Sequence, residues 1–169
     1  MNFNKICVVG LGYIGLPTAA IFASHKKKVI GIDNNKSVVK TINEGKVHIV
    51  EPDLDLIVQD SVSEGYLTAS TEIQSADAFL IAVPTPFKNT INSQYPEPDI
   101  SYVKEAAILI SSVLEKGNLV ILESTSPVGT TEKLTKWMSA ERPDLTFPEN
   151  SNKKPDINIA YCPERVLPG

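Results

Sequence analysis

Cysteine is nearly absent from this chain, with Cys7 and Cys162 the only two and neither having a neighbour at metal-ligand spacing. That excludes a disulfide framework and a thiolate metal cluster. Cys7 lies inside an apolar run and reads as core, while Cys162, ahead of Pro163 with no histidine nearby in sequence, reads as structural rather than nucleophilic. Histidine is as scarce. His25, beside Lys26, Lys27 and Lys28, reads as a solvated helix end, and His48 as part of a surface loop. Long hydrophobic runs are missing too: none approaches the roughly 20 residues that span a bilayer. The leading Met1-Asn2-Phe3-Asn4-Lys5 carries no cleavable apolar segment, so no membrane partner and a cytoplasmic location are expected. An excess of positive charge is also lacking. A formal net charge of −4 argues against a nucleic-acid partner, although a dinucleotide held by backbone amides needs no basic patch. What remains is an ordinary globular composition, 42% hydrophobic over 169 residues, without internal repeats and of a size for one well-buried domain.

The most informative stretch is Lys5-Ile6-Cys7-Val8-Val9-Gly10-Leu11-Gly12-Tyr13-Ile14-Gly15-Leu16-Pro17. A β-branched apolar run ends at Gly10, and Gly10, Gly12 and Gly15 follow the G-x-G-x-x-G spacing before a helical pattern begins. In that arrangement Gly10 permits the turn, Gly12 lets the backbone approach a pyrophosphate and Gly15 lets the helix lie close. The helix N-terminus offers free amides and a partial positive charge to that pyrophosphate, and Pro17 fits the first turn. The helix is expected to end near Ser24-His25, with Thr18, Ala19, Ala20 and Ala23 against the sheet and Ile21 and Phe22 filling core space. Lys28-Val29-Ile30-Gly31-Ile32-Asp33 closes a βαβ unit and puts an acid at the strand's carboxyl end. Asp33 can accept both adenosine-ribose hydroxyls. Two like charges about 4 Å apart near a surface cost about 4 kcal/mol at an effective dielectric of 20, so Asp33 favours NAD over NADP, with Lys36 a partial offset. Asp33 also fits a plain turn residue before Asn34-Asn35.

Farther along, Val38, Val39 and Ile42 predict a short helix from about Ser37, and Asp53 is placed to cap a helix bearing Leu54, Ile57, Val58 and Val62. Tyr66-Leu67-Thr68-Ala69 reads as a strand. Ala78-Phe79-Leu80-Ile81-Ala82-Val83 reads as a strand buried on both faces, running into Pro84-Thr85-Pro86 at the edge where open α/β sheets bind ligands. Residues 87–98 predict an exposed loop, and Asp99 or Ser101 begins a helix through Val103, Ala106, Ala107, Ile110 and Leu114 to Gly117. Leu119-Val120-Ile121-Leu122 is the next strand, followed by Glu123-Ser124-Thr125-Ser126-Pro127-Val128-Gly129. Its hydroxyls suit N-capping of the helix that runs to about Glu141, whereas Thr125 equally suits a ligand contact. Ile157-Asn158-Ile159-Ala160-Tyr161 is the last strand. About six strands alternating with helices predict an α/β fold, a doubly wound, mostly parallel Rossmann-type sheet in one domain spanning residues 1–169.

Four ordered segments go beyond the dinucleotide fingerprint: Val8 to Pro17, Ala82-Val83-Pro84-Thr85-Pro86, Glu123 to Gly129, and Cys162-Pro163-Glu164-Arg165. Together they resemble the nucleotide-sugar 6-dehydrogenases, which include UDP-glucose and GDP-mannose dehydrogenases. The resemblance implies NAD as cofactor, a UDP-sugar as substrate of the full-length parent, and two successive oxidations of a primary alcohol to the carboxylate. It further implies that Gly10, Gly12, Tyr13, Ile14 and Gly15 line the pyrophosphate, that Asp33 takes the ribose, and that Val83, Pro84 and Thr85 flank the adenosine side. Thr125 would lie near the nicotinamide and the catalytic water, Glu164 would assist thioester hydrolysis, and Arg165, Val166 and Leu167 would follow the sugar nucleotide with their backbone. Without the resemblance, Glu164 reads as a surface carboxylate paired with Arg165. UDP-glucose dehydrogenases carry an aromatic residue and a second acid where Arg165 and Pro168 stand, which argues against UDP-glucose. The family's nucleophilic cysteine belongs to a later substrate domain, so this stretch alone is expected to bind NAD and oxidise nothing. The parent is expected to be a homodimer and the stretch by itself a monomer. The reading from another class is a nucleotide-sensing domain on the same fold.

Overall fold

A computed structural model describes residues 3–88, 96–148 and 154–164. Six parallel strands, β1 (Lys5–Val9), β2 (Lys28–Ile32), β3 (Leu67–Ser70), β4 (Ala78–Ile81), β5 (Leu119–Leu122) and β6 (Asn158–Tyr161), form one sheet in the order β3-β2-β1-β4-β5-β6. The order reverses between β1 and β4, whose register pairs Ile6 with Ala78 and Val9 with Ile81. Loops leaving these two strands diverge to opposite faces, which opens a crevice at their carboxyl ends. The helices are α1 (Gly15–Ser24), α2 (Lys36–Asn43), α3 (Leu54–Ser63), α4 (Ser101–Ser111) and α5 (Thr130–Glu141).

Period-two alternation explains the apolar strands. Ile6 and Val8 join Leu16, Ala19, Ala20, Ala23, Ile42 and Val58 in the core under α1, α2 and α3. Cys7 and Val9 join Val103, Ala107, Ile110, Leu134 and Met138 under α4 and α5 on the other face. A sheet covered on both sides has no polar positions to spare, hence the continuous runs of β1 and β4.

Several local expectations are corrected. Ile21 does not fill the core; it is 54% exposed, because Leu16, Ala19, Ala20 and Ala23 form the i, i+3, i+4, i+7 stripe and position 21 falls opposite it. Phe22 is partly buried against that core. Asp53 does not cap α3: its backbone is left-handed at φ 59° and its side chain makes no capping bond. Asn35 is the residue that caps, accepting from the Ser37 N–H at 3.0 Å in front of α2. The hydroxyls before α5 do not cap it either, since Gly129 at φ 88° occupies the cap position. α4 stops at Ser111 rather than Gly117. The Ser111 and Ser112 hydroxyls fold back onto the Ala107 and Leu109 carbonyls, and the Arg142 guanidinium takes the carbonyls of Ser111 at 3.1 Å and Leu114 at 2.7 Å. Asp99 precedes α4 and accepts from the Ser101 N–H at 2.9 Å. β4 ends at Ile81, two residues short of Val83, and β6 starts at Asn158. Of the 87–98 loop, the ends pair through an antiparallel Phe87–Pro98 bridge, and its middle lies outside the described residues. Among the described residues no helix is long and apolar enough to cross a membrane.

Candidate functional site

β1 ends and its chain turns sharply because Gly10 adopts φ +93°, a conformation open to glycine. The turn is tight from both sides. A Cβ on Gly10 would sit 2.5 Å from the Ala82 carbonyl oxygen, and one on Gly15 would sit 1.7 Å from the Gly10 carbonyl oxygen and 3.2 Å from the Ala82 Cβ. Gly15 thus closes the turn on itself as well as against the end of β4. Gly12 differs, with nothing within 4 Å of its Cβ position. Its open side faces a cavity of about 870 Å³. Among the described residues no protein acceptor takes the N–H of Gly12, Tyr13 or Ile14, and Ile14, at the N-cap of α1, supplies no side-chain cap. Unsatisfied amides at the positive end of a helix, beside glycine-made space, fit a pyrophosphate.

Asp33 follows β2 on the same edge. Its Oδ2 accepts from the Leu11 N–H at 3.1 Å and its Oδ1 from the Asn35 N–H at 2.9 Å, so the carboxylate is locked between the glycine turn and the α2 cap. Each oxygen keeps a second lone pair for a ribose hydroxyl. Gly31 makes this possible, because a Cβ there would meet the buried Leu11 side chain at 2.5 Å. The plain turn reading of Asp33 is partly right as well, since the Asn35 contact is an Asx turn.

Across the crevice, the segments after β4 and β5 are stitched together. The Ser124 hydroxyl is buried and donates to the Val83 carbonyl at 2.6 Å, and the Thr85 hydroxyl donates to the Thr125 carbonyl. Thr125 itself is exposed to the cavity, and its hydroxyl donates to Glu164 Oε2 at 2.7 Å, joining β5 to the segment after β6. Glu123, immediately before them, points the other way. Its Oε1 accepts from the Thr18 hydroxyl of α1 at 3.2 Å, and its Oε2 is buried without a partner. Burial, followed by the nearby charge of Glu164, pushes the Glu123 carboxyl above the usual carboxylate range, with the Thr18 hydrogen bond opposing.

One cavity therefore gathers Gly10, Gly12, Tyr13, Ile14, Asp33, Val83, Pro84, Thr85, Thr125 and Glu164. Gly15 stands behind the wall, buried beneath the turn. Arg165, Val166 and Leu167 lie outside the described residues. Cys7 is fully buried and its thiol is pushed up to about 12 by that burial, whereas Cys162 is exposed and outside the cavity lining. His25 rests its Nδ1 on the Ile21 carbonyl at the end of α1, and His48 is exposed. The described residues contain no cluster of acids, histidines and cysteines that would hold a metal.

The sequence reading overlooked part of the wall. Tyr102, Glu105 and Leu109 of α4 line the cavity one step around the helix from the core positions Val103, Ala106 and Ile110. Their 3-4 spacing puts them on one face of α4, but a face mixing Tyr102, Glu105 and Leu109 looks in sequence like any solvent-facing one. Glu123 and Ser124 left no signal of their own beyond lying in the quoted motif.

Comparison with known proteins gives the same picture. The family model described as "UDP-glucose/GDP-mannose dehydrogenase family, NAD binding domain" matches residues 4–169. A UDP-N-acetyl-D-mannosamine dehydrogenase of Campylobacter jejuni is 61% identical over 168 residues, covering 99% of this chain and 40% of the relative. An NDP-N-acetyl-D-galactosaminuronic acid dehydrogenase of Ralstonia nicotianae is 58% identical over 169 residues, covering 100% of this chain and 39% of the relative. Among solved structures, the native UDP-N-acetyl-mannosamine dehydrogenase of Staphylococcus aureus superimposes with a TM-score of 0.84 at 39% identity, over 98% of this chain and 38% of that one. The chain thus spans about two fifths of the length of the curated relatives it matches. With the glycine turn, the Asp33 anchor and the 3-2-1-4-5-6 strand order in place, the chain belongs to the UDP-glucose/GDP-mannose dehydrogenase family and corresponds to its NAD-binding domain.

Proposed function

We propose that residues 1–169 form one domain that serves as the cofactor half of an NAD-dependent dehydrogenase, which oxidises the C6 alcohol of UDP-N-acetyl-D-mannosamine to the carboxylate in two steps. The observation that carries this reading is the Thr125–Glu164 hydrogen bond on the wall of the cavity whose far side is built from the glycine turn and Asp33. A nucleotide sensor needs the turn and the acid but not a carboxylate held at the other end. When bound, NAD would supply the hydride acceptor, and this chain's residues would hold and orient it. The Gly12, Tyr13 and Ile14 amides hold the pyrophosphate, Asp33 takes the ribose and disfavours a 2′-phosphate, and Val83, Pro84 and Thr85 form the opposite wall. Thr125 fixes the Glu164 carboxylate at one oxygen, which positions that group to take a proton from an attacking water. Arg165, Val166 and Leu167 are assigned to the sugar nucleotide's path. The parent enzyme is assigned two copies of the chain, and the cytoplasm is the location that suits its substrate.

Relatives of similar identity are named for different sugars, so the assay compares UDP-N-acetyl-mannosamine with UDP-N-acetyl-galactosamine and UDP-glucose. The full-length enzyme is expected to form two NADH per UDP-N-acetyl-mannosamine consumed; one NADH, or a better turnover on another sugar, overturns the assignment. Calorimetric titration of the chain with NAD, NADP and ATP tests the cofactor half. A clear preference for ATP would favour the sensing reading.

A further inference from the structure

Three consecutive residues after β5 face three different parts of the molecule. Ser124 bonds to the β4 side, Thr125 bonds to Glu164 on the cavity wall, and Glu123 reaches back to Thr18, one turn into the helix that opens at the glycine turn. The main chain at this point is held as well, with the Glu123 and Ser124 amides both donating to the Ile81 carbonyl at 2.9 and 3.1 Å. Glu123 thus ties α1 by a side-chain hydrogen bond to the strand edge presenting Thr125. Its second oxygen, Oε2, is buried with no hydrogen-bond partner. A buried anion with an orphaned oxygen is far costlier than a neutral acid in the same place.

We propose that Glu123 is a positioning residue for the oxidation, its carboxyl bracing the Thr125–Glu164 pair against helix α1 through the Thr18 hydroxyl. The proposal rests on the reading of Thr125 and Glu164 as reaction-side groups. One Glu123 oxygen takes the Thr18 hydroxyl while the other is enclosed without a partner, so the side chain is held in place on the α1 side. As an anion it would oppose Glu164 from within the same strand end and press on the contact that holds it. Thr18 of α1 and Glu164 of the segment after β6 are the groups that act on its ionisation, in opposite directions, and burial favours the neutral form.

Two measurements test it. In the 169-residue chain, carbon-13 resonances of the glutamate carboxyls are followed against pH. Glu123 is expected to titrate above the other glutamates, with its midpoint moving down in Glu164→Gln and up in Thr18→Val. A Glu123 midpoint among the rest, or one indifferent to Glu164→Gln, overturns the proposal, and neither observation needs cofactor or substrate. In the full-length enzyme, Glu123→Ala is expected to lower kcat roughly tenfold or more with little change in KM for NAD, and Glu123→Gln to recover most of the loss. A Gln variant as impaired as the Ala variant means that a hydrogen-bonding side chain of the same shape does not suffice and refutes the brace; an Ala variant as fast as wild type refutes the role. If wild-type enzyme forms no NADH from any UDP-sugar, the functional reading fails, while the titration still decides the state of Glu123.

Discussion

Gly12 and Gly15 lie three residues apart in one motif, yet the structure assigns them opposite costs. A methyl group on Gly12 meets no protein atom within 4 Å, so Gly12→Ala is expected to leave folding unchanged or up to about 1 kcal/mol more stable through the stiffer unfolded chain. Its cost falls on the ligand. A methyl in the space that a pyrophosphate would occupy pushes it off the Gly12, Tyr13 and Ile14 amides, and each hydrogen bond to a charged group is worth about 1.5–3 kcal/mol. Losing two of them weakens NAD binding by roughly a hundredfold or more. Gly15→Ala instead places carbon 1.7 Å from the Gly10 carbonyl oxygen, well inside the roughly 3.3 Å of a close C···O contact. The oxygen belongs to backbone already clamped against Ala82, so the turn must open, at about 3 kcal/mol or more, which lowers Tm by about 6–12 °C in a chain of this size. Thermal melts without cofactor and calorimetric titration with NAD separate the two variants. The reasoning is refuted if Gly12→Ala melts as early as Gly15→Ala, or if it binds NAD with an unchanged Kd.

Other expectations follow from single side chains. Asp33→Asn removes the negative charge facing a 2′-phosphate and weakens one of two amide contacts, so the Kd ratio of NADP to NAD is expected to fall roughly ten- to a hundredfold in competitive titrations; an unchanged ratio would place cofactor choice elsewhere. Asp77 is held below the usual carboxylate range by the backbone amides of Lys5 and Asn4, at 2.9 and 2.8 Å. Its folded form binds protons less readily than its unfolded form, so its contribution is present above the unfolded pKa and is lost as pH falls through the depressed folded one. Urea melts of Asp77→Asn should show a shallower acid limb than wild type, with the curves converging at low pH. Glu123 has the reverse sign, its raised folded pKa making stability fall as pH rises through it, so Glu123→Gln is expected to flatten that higher window. A thiol reagent should titrate Cys162 alone in the native chain and both cysteines after denaturation, since Cys7 is fully buried and its thiol is raised to about 12; two native equivalents would mean that β1 opens readily.

What the sequence by itself determined is the part of the molecule governed by local rules. A strand buried on both faces must be apolar throughout, a sharp strand-to-helix turn must be glycine, and a βαβ unit of this length brings its second strand beside its first, so β1, α1, β2 and the Asp33 position were legible from residues 5–33 alone. Thr125 stood out as a ligand contact by its place after β5 and Glu164 only through the family resemblance, while their pairing was not legible, because 39 residues separate them and nothing in their spacing brings them to a 2.7 Å contact. Local rules also failed where tertiary contacts decide. Ile21 is as apolar as its neighbours and lies outside the core only because the alanine stripe faces the sheet. Asp53 is a good capping residue whose backbone, in the left-handed region, turns the side chain away, and α4 is cut short by an arginine arriving from the end of α5. Glu123 is the clearest case. Its type and position in the chain suggest an ordinary exposed acid, and only the fold gives it the Thr18 hydroxyl of α1 as a partner and buries its other oxygen with none. The physical reason is common to all of these: hydrophobic period and turn geometry act between residues a few positions apart, whereas desolvation and charge are set by whatever the completed fold brings alongside.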